Sequence, residues 1–199
     1  MPKVVSDLIL TEAELYYAPV GTALPADTVA AGGDWGNTWI SVGFTTAPFK
    51  LVYDYETKEP NVQQALGPLK RYKIGESAGI ETMIGELSLS LLPLAWTGSV
   101  TATAAGSGQP GKETYEVGGS KFLQEYTWAA EGTYVDEDGA TFPIRVQIYK
   151  ATAESGGELE FDKEEYTGTA LKLAALEDTS KAKGKRLIQI VKILEPATV

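Results

Sequence analysis

Residues 122–150 read FLQEYTWAAEGTYVDEDGATFPIRVQIYK, and this stretch decides the fold class. Every second residue from 142 to 148 is apolar, which is the side-chain period of a β-strand. The acidic turn at 136–139 ends in Asp-Gly, a strong hairpin signal, and β-branched and aromatic residues precede it. The stretch therefore predicts an antiparallel hairpin with strands at 122–135 and 142–150.

The rest of the chain repeats this pattern of strands and turns. Its 21 glycines and 10 prolines separate short clusters of β-branched and aromatic residues. Further strands are predicted at 15–19, 39–44, 49–56, 80–89, 158–162, 169–176 and 187–194, with a loop over 23–37. One short helix is predicted over 90–97, with Ser90 as its N-cap and Pro93 in its first turn. The chain is therefore expected to be mainly β, and since no linker divides it, residues 1–199 are expected to form one domain.

The composition excludes several classes of chemistry. The 199 residues include no Cys and no His, which removes thiol and imidazole nucleophiles, disulfides and the usual zinc sites. Seventeen basic against 27 acidic residues give a net charge of −10, which argues against a protein that grips nucleic-acid phosphates. No cofactor is expected. The first residues lack a signal peptide and no apolar run is long enough for a membrane helix, so we expect cytoplasmic synthesis without membrane anchoring.

Two amphipathic strands flank a long excursion or hairpin arm, predicted at 57–73. In the first strand, Phe49, Leu51, Tyr53 and Tyr55 alternate with a mostly polar set that also includes Val52. In the second strand, Met83, Leu87 and Leu89 alternate with a polar set. Between them, residues 57–73 show no period and are rich in cations, and long excursions of this kind usually bind something. The arm residues of interest are Tyr55, Glu56, Lys58, Lys70, Arg71 and Lys73; the polar strand face comprises Lys50, Asp54, Thr82, Glu86 and Ser88.

Two blocks of opposite charge lie nearer the C-terminus. Six of the twelve residues from 154 to 165 are acidic, and four of the six from 181 to 186 are basic. In a monomer they are separate solvated patches, whereas in stacked copies they are complementary surfaces. The residues concerned are Glu158, Glu160 and Asp162 in the first block and Lys181, Lys183, Lys185 and Arg186 in the second.

Three motif-like stretches are weak. Residues 106–113 fit seven positions of a phosphate-binding loop, but Glu113 stands where Ser or Thr is needed. The small residues of 98–111 therefore predict a flexible, exposed, glycine-rich loop. The acidic turn at 136–139 is too short for a calcium loop. Carboxylate pairs such as Glu164-Glu165 and Glu158 with Glu160 are expected by chance among 27 acids, which favours a charged strand face over a glycosidase site.

The order of these segments resembles the phage tail tube protein family, in particular the major tail proteins of long-tailed phages. The resemblance rests on LYYAPVGT at 15–22, on WISVGFT at 39–45 leading into a strand, and on the charged arm that begins at Tyr55-Glu56. It continues through 80–91 into the short helical segment. It ends with YTGTALKLAAL at 166–176, which precedes the last apolar strand.

The resemblance implies a β-sandwich or barrel-like domain with one short flanking α-helix and a long hairpin arm. It also implies homohexameric rings that stack into a hollow tube, with the arm at 54–79 reaching the neighbouring ring and DNA passing through the lumen without being held. A net acidic inner wall of the tube would repel the phosphates of DNA, so the DNA could slide through. Other implied partners are the tape measure, tail terminator and tail-tip or baseplate proteins. Members are not enzymes; they are virion tail components, assembled in the cytoplasm of the host bacterium.

Alternatives remain at the level of sequence. A tail terminator, a baseplate-hub ring or a secretion-system tube shares the related fold and differs in oligomer length. Outside this class, a carbohydrate-binding β-sandwich module would use Trp35, Trp39, Trp96 and Trp128 as stacking platforms for sugars. Buried core positions are the expected alternative for at least two of these tryptophans.

Overall fold

A computed structural model describes residues 12–60, 67–85, 88–135, 139–154, 156 and 168–194. Within these residues the strands are β1 (Glu14–Pro19), β2 (Ile40–Ser41), β3 (Lys50–Lys58), β4 (Tyr72–Ile84), β5 (Gly98–Thr103), β6 (Lys112–Val117), β7 (Tyr126–Val135), β8 (Thr141–Ala153), β9 (Thr169–Ala175) and β10 (Ile188–Lys192). The helix α1 spans Leu92–Ala95. The mainly β fold with one short helix is confirmed.

One antiparallel sheet carries most of the strands, in the order β2-β1-β7-β8-β9-β4-β3, and β10 also pairs with β8. The hairpin of β7 and β8 is its centre, as predicted for residues 122–150, although β7 begins only at Tyr126 and β8 continues to Ala153. Gly139, at the end of the turn, has a φ of 84°, a left-handed conformation that glycine adopts without strain. Residues 136–138 lie outside the described residues.

The two sides of the sheet meet through residues 42–46. The backbone N–H of Val42 donates to Leu15 O on β1 (2.9 Å), and that of Thr46 donates to Met83 O on β4 (2.9 Å). Gly85 N donates in turn to Phe44 O (2.8 Å). This segment therefore links β1 to β4 and makes the sheet barrel-like. The strand predicted at 39–44 is shorter than expected, because after Ser41 the chain turns to make these single links.

The interior of the barrel-like sheet is apolar. Leu15, Ile80, Trp128 and Ile148, from four different strands, pack in one cluster with residues of β9 and α1. Burying a side chain of this size stabilises the fold by about 1.5–3 kcal/mol. The helix is shorter than predicted and its N-cap is Leu91, not Ser90. The Ser90 hydroxyl bonds to Ser88 Oγ (2.6 Å) instead of to the helix N-terminus.

The opposite face of β7 and β8 is covered by residues 20–39, which we name the clamp loop. Arg145 on β8 is fully buried, and its Nε donates to Glu131 Oε2 on β7 (2.7 Å). Its Nη2 donates to Val29 O (2.7 Å) and its Nη1 to Ala26 O (3.2 Å). Glu131 Oε1 accepts from the N–H of Gly32 (2.8 Å). A buried ion pair thus holds an otherwise irregular loop against the sheet.

Other expectations require correction. The residues predicted as a glycine-rich loop at 98–111 begin with β5, which pairs with β6 from Gly98↔Val117 to Thr103↔Lys112. The turn is confined to 104–111, because Val100, Thr101 and Thr103 favour extended backbone. The predicted C-terminal strands both form, but β9 and β10 pair with β8, not with each other. The strand predicted at 158–162 lies outside the described residues.

Gly79 marks the point at which β4 leaves the sheet, and we expect it to tolerate no side chain. A Cβ there would lie 2.4 Å from the carbonyl oxygen of Leu173 on β9, whereas a Cβ at Gly75 would meet Glu56 at an ordinary 3.8 Å. Gly79→Ala should therefore lower the free energy of unfolding by about 1–3 kcal/mol, and Gly75→Ala should be close to neutral. Urea unfolding followed by Trp fluorescence measures the stability of both variants. Equal stability would contradict the close approach of position 79 to the carbonyl oxygen of Leu173.

Candidate assembly interface

A two-stranded ribbon projects from the sheet. β3 pairs with β4 along its whole length, but only residues 79–84 of β4 also pair with β9. Residues 54–58 and 72–77 therefore pair only with each other among the described residues, and we name them the ribbon. The ribbon lies within the range 54–79 predicted for the arm. An isolated two-stranded hairpin is marginally stable in water, so a ribbon of this kind gains from contact with another surface.

Large side chains on the ribbon are exposed. Tyr55 is 55% exposed and Ile74 is 59% exposed, and Tyr72 is similarly open. Leu69, close to the start of β4, is exposed as well. Contiguous exposed apolar and aromatic side chains are typical of interaction surfaces. The ribbon therefore presents a surface suited to contact with a partner.

A cluster of polar and aromatic groups stiffens the base of the ribbon. The Lys73 ammonium donates to the Tyr53 hydroxyl (2.5 Å), forms an ion pair with Glu76, and lies 5.1 Å from the centre of the Tyr53 ring. The Tyr53 hydroxyl also donates to Glu76 Oε2 (3.0 Å). A β-bulge between Glu56 and Thr57 shifts the register beside Lys73. The cluster fixes one face of the ribbon before any partner binds.

This cluster also shifts two pKa values. The hydrogen bond from Lys73 lowers the pKa of Glu76, and the hydrogen bond to Glu76 raises the pKa of Lys73. A lowered carboxyl pKa means that the interaction is present above the ordinary pKa of Glu and is lost as the pH falls through the lowered value. A raised ammonium pKa means, in turn, that the interaction is lost as the pH rises through the raised value of Lys73. The ribbon cluster therefore stays intact at neutral pH and weakens in acid, where Glu76 is protonated, and in strong base, where Lys73 loses its proton.

The predicted arm residues all lie on the ribbon or in the connection at its tip. Tyr55, Glu56 and Lys58 are on β3, Lys73 is on β4, and Lys70 and Arg71 immediately precede β4. Arg71 pairs with Glu59, and the Lys70 ammonium lies 5.0 Å from the centre of the Tyr72 ring. Residues 61–66 lie outside the described residues.

The predicted polar face is partly wrong. Lys50 and Asp54 are exposed on β3, but Thr82 is only 8% exposed and its hydroxyl donates to Ala47 O (3.0 Å). The reason is register: Ile80, Thr82 and Ile84 face the interior, so Glu81 and Met83 face outward, one residue out of step with the prediction. Ser88 is half-buried in the turn before α1, and Glu86 lies outside the described residues.

An ion-pair chain that sequence reasoning missed crosses this outward face. Lys50 Nζ lies 3.3 Å from Glu81 Oε2, Lys172 Nζ lies 3.8 Å from Glu81 Oε1, and Lys172 also pairs with Glu154 at 3.1 Å. The chain spans β3, β4, β9 and the end of β8. Only the order of the strands in the sheet brings these four side chains together. The one sign of it in the sequence is that Glu81 stands next to Thr82 and so lies on the opposite face of the same strand.

The predicted basic block lies in the connection between β9 and β10. Arg186 pairs with Glu177 (3.0 Å), and the Lys181 ammonium lies 4.7 Å from the centre of the Tyr149 ring. Lys183 and Lys185 are exposed. The acidic counterparts Glu158, Glu160 and Asp162 lie outside the described residues, so the complementarity of the two blocks stays a prediction.

The tryptophans are poorly placed to stack on sugars. Trp35, Trp39 and Trp128 are buried, and Trp96 is half-buried beside α1. Trp35 stacks on Tyr16 with ring centres 4.2 Å apart, and Trp39 Nε1 donates to Ala23 O (3.0 Å). Three of the four therefore serve the packing of the clamp loop and the interior, as expected for core tryptophans.

The described residues give little support to a phosphate-binding loop, a metal site or a membrane-spanning helix. The stretch at 106–113 forms a turn closed by Gly106 and Gln109 and then enters β6, not a helix as a phosphate-binding loop requires. No cluster of three metal-ligating side chains occurs in the part of the chain that the structure describes. Nor does that part contain a helix long and apolar enough to cross a membrane.

A family model described as phage tail tube protein matches residues 8–189 of this chain. The chain belongs to the phage tail tube protein family. No curated protein matches it. The matched range includes β1 to β9 and the ribbon. This tail tube protein is therefore a structural component of the virion tail, from a family that is not an enzyme class, and it assembles with itself and with other tail proteins.

Proposed function

We propose that this tail tube protein forms homohexameric rings that stack into a hollow tube, through which DNA leaves the capsid. The observation that carries the proposal is the ribbon: it pairs with nothing else among the described residues and exposes Tyr55, Tyr72 and Ile74. A side-chain set of this kind is stabilised by burial against another copy. The predicted arm residues, from Tyr55 to Lys73, would make that contact between rings.

The edge of the sheet suggests how a ring closes. β3 is the last strand on its side of the sheet, and its outer edge has no strand partner among the described residues. An unpaired edge of nine residues is a template for pairing with another chain. Joining β3 to a strand of the neighbouring subunit would satisfy that edge and make one continuous sheet around the ring.

The lumen would be lined by the outward polar face. We assign Lys50, Asp54 and Glu81 to it, with Glu81 in the place predicted for Thr82. Ion pairing holds the cation Lys50 to Glu81, which leaves Asp54 and the overall net charge of −10 to set an acidic potential. Such a wall repels phosphate, so DNA would slide without sticking.

Further partners follow from the proposed place in the tail. The tube would contact the tape measure protein inside and the tail terminator and tail-tip or baseplate proteins at its two ends. The blocks at 158–162 and 181–186 would pair between rings. Assembly would take place in the cytoplasm of the host bacterium.

Negative-stain electron microscopy across a concentration series, beside size-exclusion light scattering, tests the proposal. We expect six-fold rings at low concentration and hollow tubes of uniform diameter at high concentration. Single rings that never stack, even with tail-tip components, would favour a terminator or hub. Protein that stays monomeric under the same conditions would overturn the tube.

A further inference from the structure

β9 and β10 occupy the same edge of β8. One edge of β8 is paired with β7 from Thr141 to Ala151, so its other partners lie on the opposite edge. There β9 faces residues 151–153 of β8, and β10 faces residues 144–148. Both strands run antiparallel to β8. β10 therefore continues the line of β9 along one edge of the sheet.

An insertion interrupts this line without changing its register. Ala175, the last residue of β9, faces Ala151. Ile188, the first residue of β10, faces Ile148. Between these two pairs β8 advances by three positions and the opposite strand by thirteen, so ten residues are extra. We name these ten residues, 177–186, the wedge loop.

The hydrogen bonds of the sheet extend up to both ends of the wedge loop. Before it, the N–H of Leu176 donates to Lys150 O (2.8 Å). After it, Leu187 O accepts from the N–H of Tyr149 (3.1 Å). Since these donors and acceptors belong to adjacent residues of β8, the strand on this edge would be continuous if the wedge loop were absent.

The wedge loop is held in a defined place. Across its base, Arg186 Nη1 lies 3.0 Å from Glu177 Oε2, and the N–H of Asp178 donates to Arg186 O (3.1 Å). The Lys181 ammonium lies 4.7 Å from the centre of the Tyr149 ring, which ties the loop to β8. These contacts fix the base of the loop at the edge of the sheet.

β4 stops pairing with its neighbour at the level of the wedge loop. The last residue of β4 to pair with β9 is Gly79, which faces Ala174. In the same register Glu76 would face Glu177, the first residue of the wedge loop. The loop thus leaves the edge where β4 would need a straight strand beside it. From this level onward β4 pairs only with β3, as the ribbon.

The sheet is therefore forked, and two backbone edges face the fork. One edge belongs to residues 72–77 on the side away from β3, and the other to β10 on the side away from β8. Neither has a strand partner in the described part of the chain. Unpaired edges attract other strands. Without the wedge loop, the register of β4 and β9 would place residues 72–75 opposite residues 188–191, and the two edges would pair with each other.

We propose that the wedge loop holds the sheet open and keeps the ribbon from closing onto β10 of its own chain. It is a conformational device: with the loop the inner edge of the ribbon is open, and without it the ribbon becomes part of the sheet. The inference concerns a single subunit and goes beyond the proposed function, because it requires neither rings nor tubes. Where the ribbon serves stacking, the wedge loop would keep it available.

Deletion of residues 177–186, which joins Leu176 to Leu187, tests the inference. Because the register is kept, the variant should unfold as cooperatively as the unmodified protein. Amide hydrogen exchange is then followed by NMR at a dilution where light scattering shows single subunits. The amides of residues 72–75 that point away from β3 should exchange at least about tenfold more slowly in the deletion variant, because β10 then supplies their acceptors.

The matched control replaces residues 177–186 by ten Gly and Ser residues, which keeps the length of the loop and removes its side chains. In this variant the same ribbon amides should exchange as fast as in the unmodified protein, and slow exchange would contradict a role for loop length.

Three further results would overturn the wedge loop's role. The first is unchanged exchange in the deletion variant. The second is a deletion variant that does not unfold cooperatively, because an insertion into a continuous strand is not needed for folding. The third is ribbon amides of the unmodified subunit that are as protected as those of residues 79–84, since the fork would then be closed already. Failure to form tubes would instead overturn the proposed function and leave the wedge loop's role standing.

Discussion

Arg145→Met is expected to lower the free energy of unfolding by about 3–5 kcal/mol, because it breaks a buried ion pair by removing one partner. The substitution removes the only cation that faces Glu131 in the described part of the clamp, and it leaves that carboxylate buried. It also removes the donors for the carbonyl groups of Ala26 and Val29. A loss of this size lowers Tm by roughly 10 °C in a chain of this length.

Urea unfolding monitored by Trp fluorescence measures this effect directly. Trp35 lies in the clamp loop with its ring centre 5.7 Å from the Arg145 guanidinium, so its emission also reports whether the loop detaches. The double variant Arg145→Met with Glu131→Leu should recover part of the loss, because no charge is then buried without a partner. Recovery stays partial, since the clamp-loop carbonyl groups still lack their donors.

Lys183→Met is the matched control. Lys183 is exposed between β9 and β10, so the same loss of a cation should change stability by less than about 0.5 kcal/mol. Equal stability of Arg145→Met and Lys183→Met would show that the ion pair does not hold the clamp loop in place.

Shortening the ribbon is expected to abolish stacking while the subunit stays folded. In this variant an Asn-Gly turn replaces residues 57–74 and joins Glu56 to Gly75, which already face each other across the strands. Those of the removed residues that the structure describes, 57–60 and 67–74, contribute nothing to the main apolar cluster, so thermal unfolding should remain cooperative. Electron microscopy should then show rings or monomers but no tubes.

The same operation on another hairpin provides the control. Replacing residues 104–111 by Asn-Gly shortens the turn between Thr103 and Lys112, which also face each other. This hairpin forms a separate two-stranded sheet, and we assign no contact between rings to its turn. Tubes should form as in the unmodified protein. If the ribbon variant still made tubes, the role of the arm in stacking would be wrong.

Local signals predicted much of the architecture. The strand periods and the Asp-Gly turn located β7 and β8, and the loss of any period after residue 56 located the arm. Both are short-range properties: alternation reports one buried face, and turn residues report backbone conformation. The same reasoning misplaced Thr82, because an error of one residue in register exchanges the two faces of a strand.

Long-range partners were beyond such reasoning. The sequence presents Arg145 as an ordinary polar position between Ile144 and Val146, and no local pattern connects it with Glu131 and the carbonyl groups of residues 26–29. An apolar pocket beside α1 is a second case, since its lining residues Trp96, Val117 and Ala153 come together only when α1, β6 and β8 have packed.

Composition, strand period and turn chemistry thus sufficed for the β class, for the absence of thiol and imidazole chemistry and for an arm of unusual length. Each of these depends on residue type or on neighbours a few positions apart. Tertiary structure alone decided which face of β4 is buried, how the clamp loop is held and where the ribbon leaves the sheet. The pairing of distant strands sets these features, and one residue of register changes them.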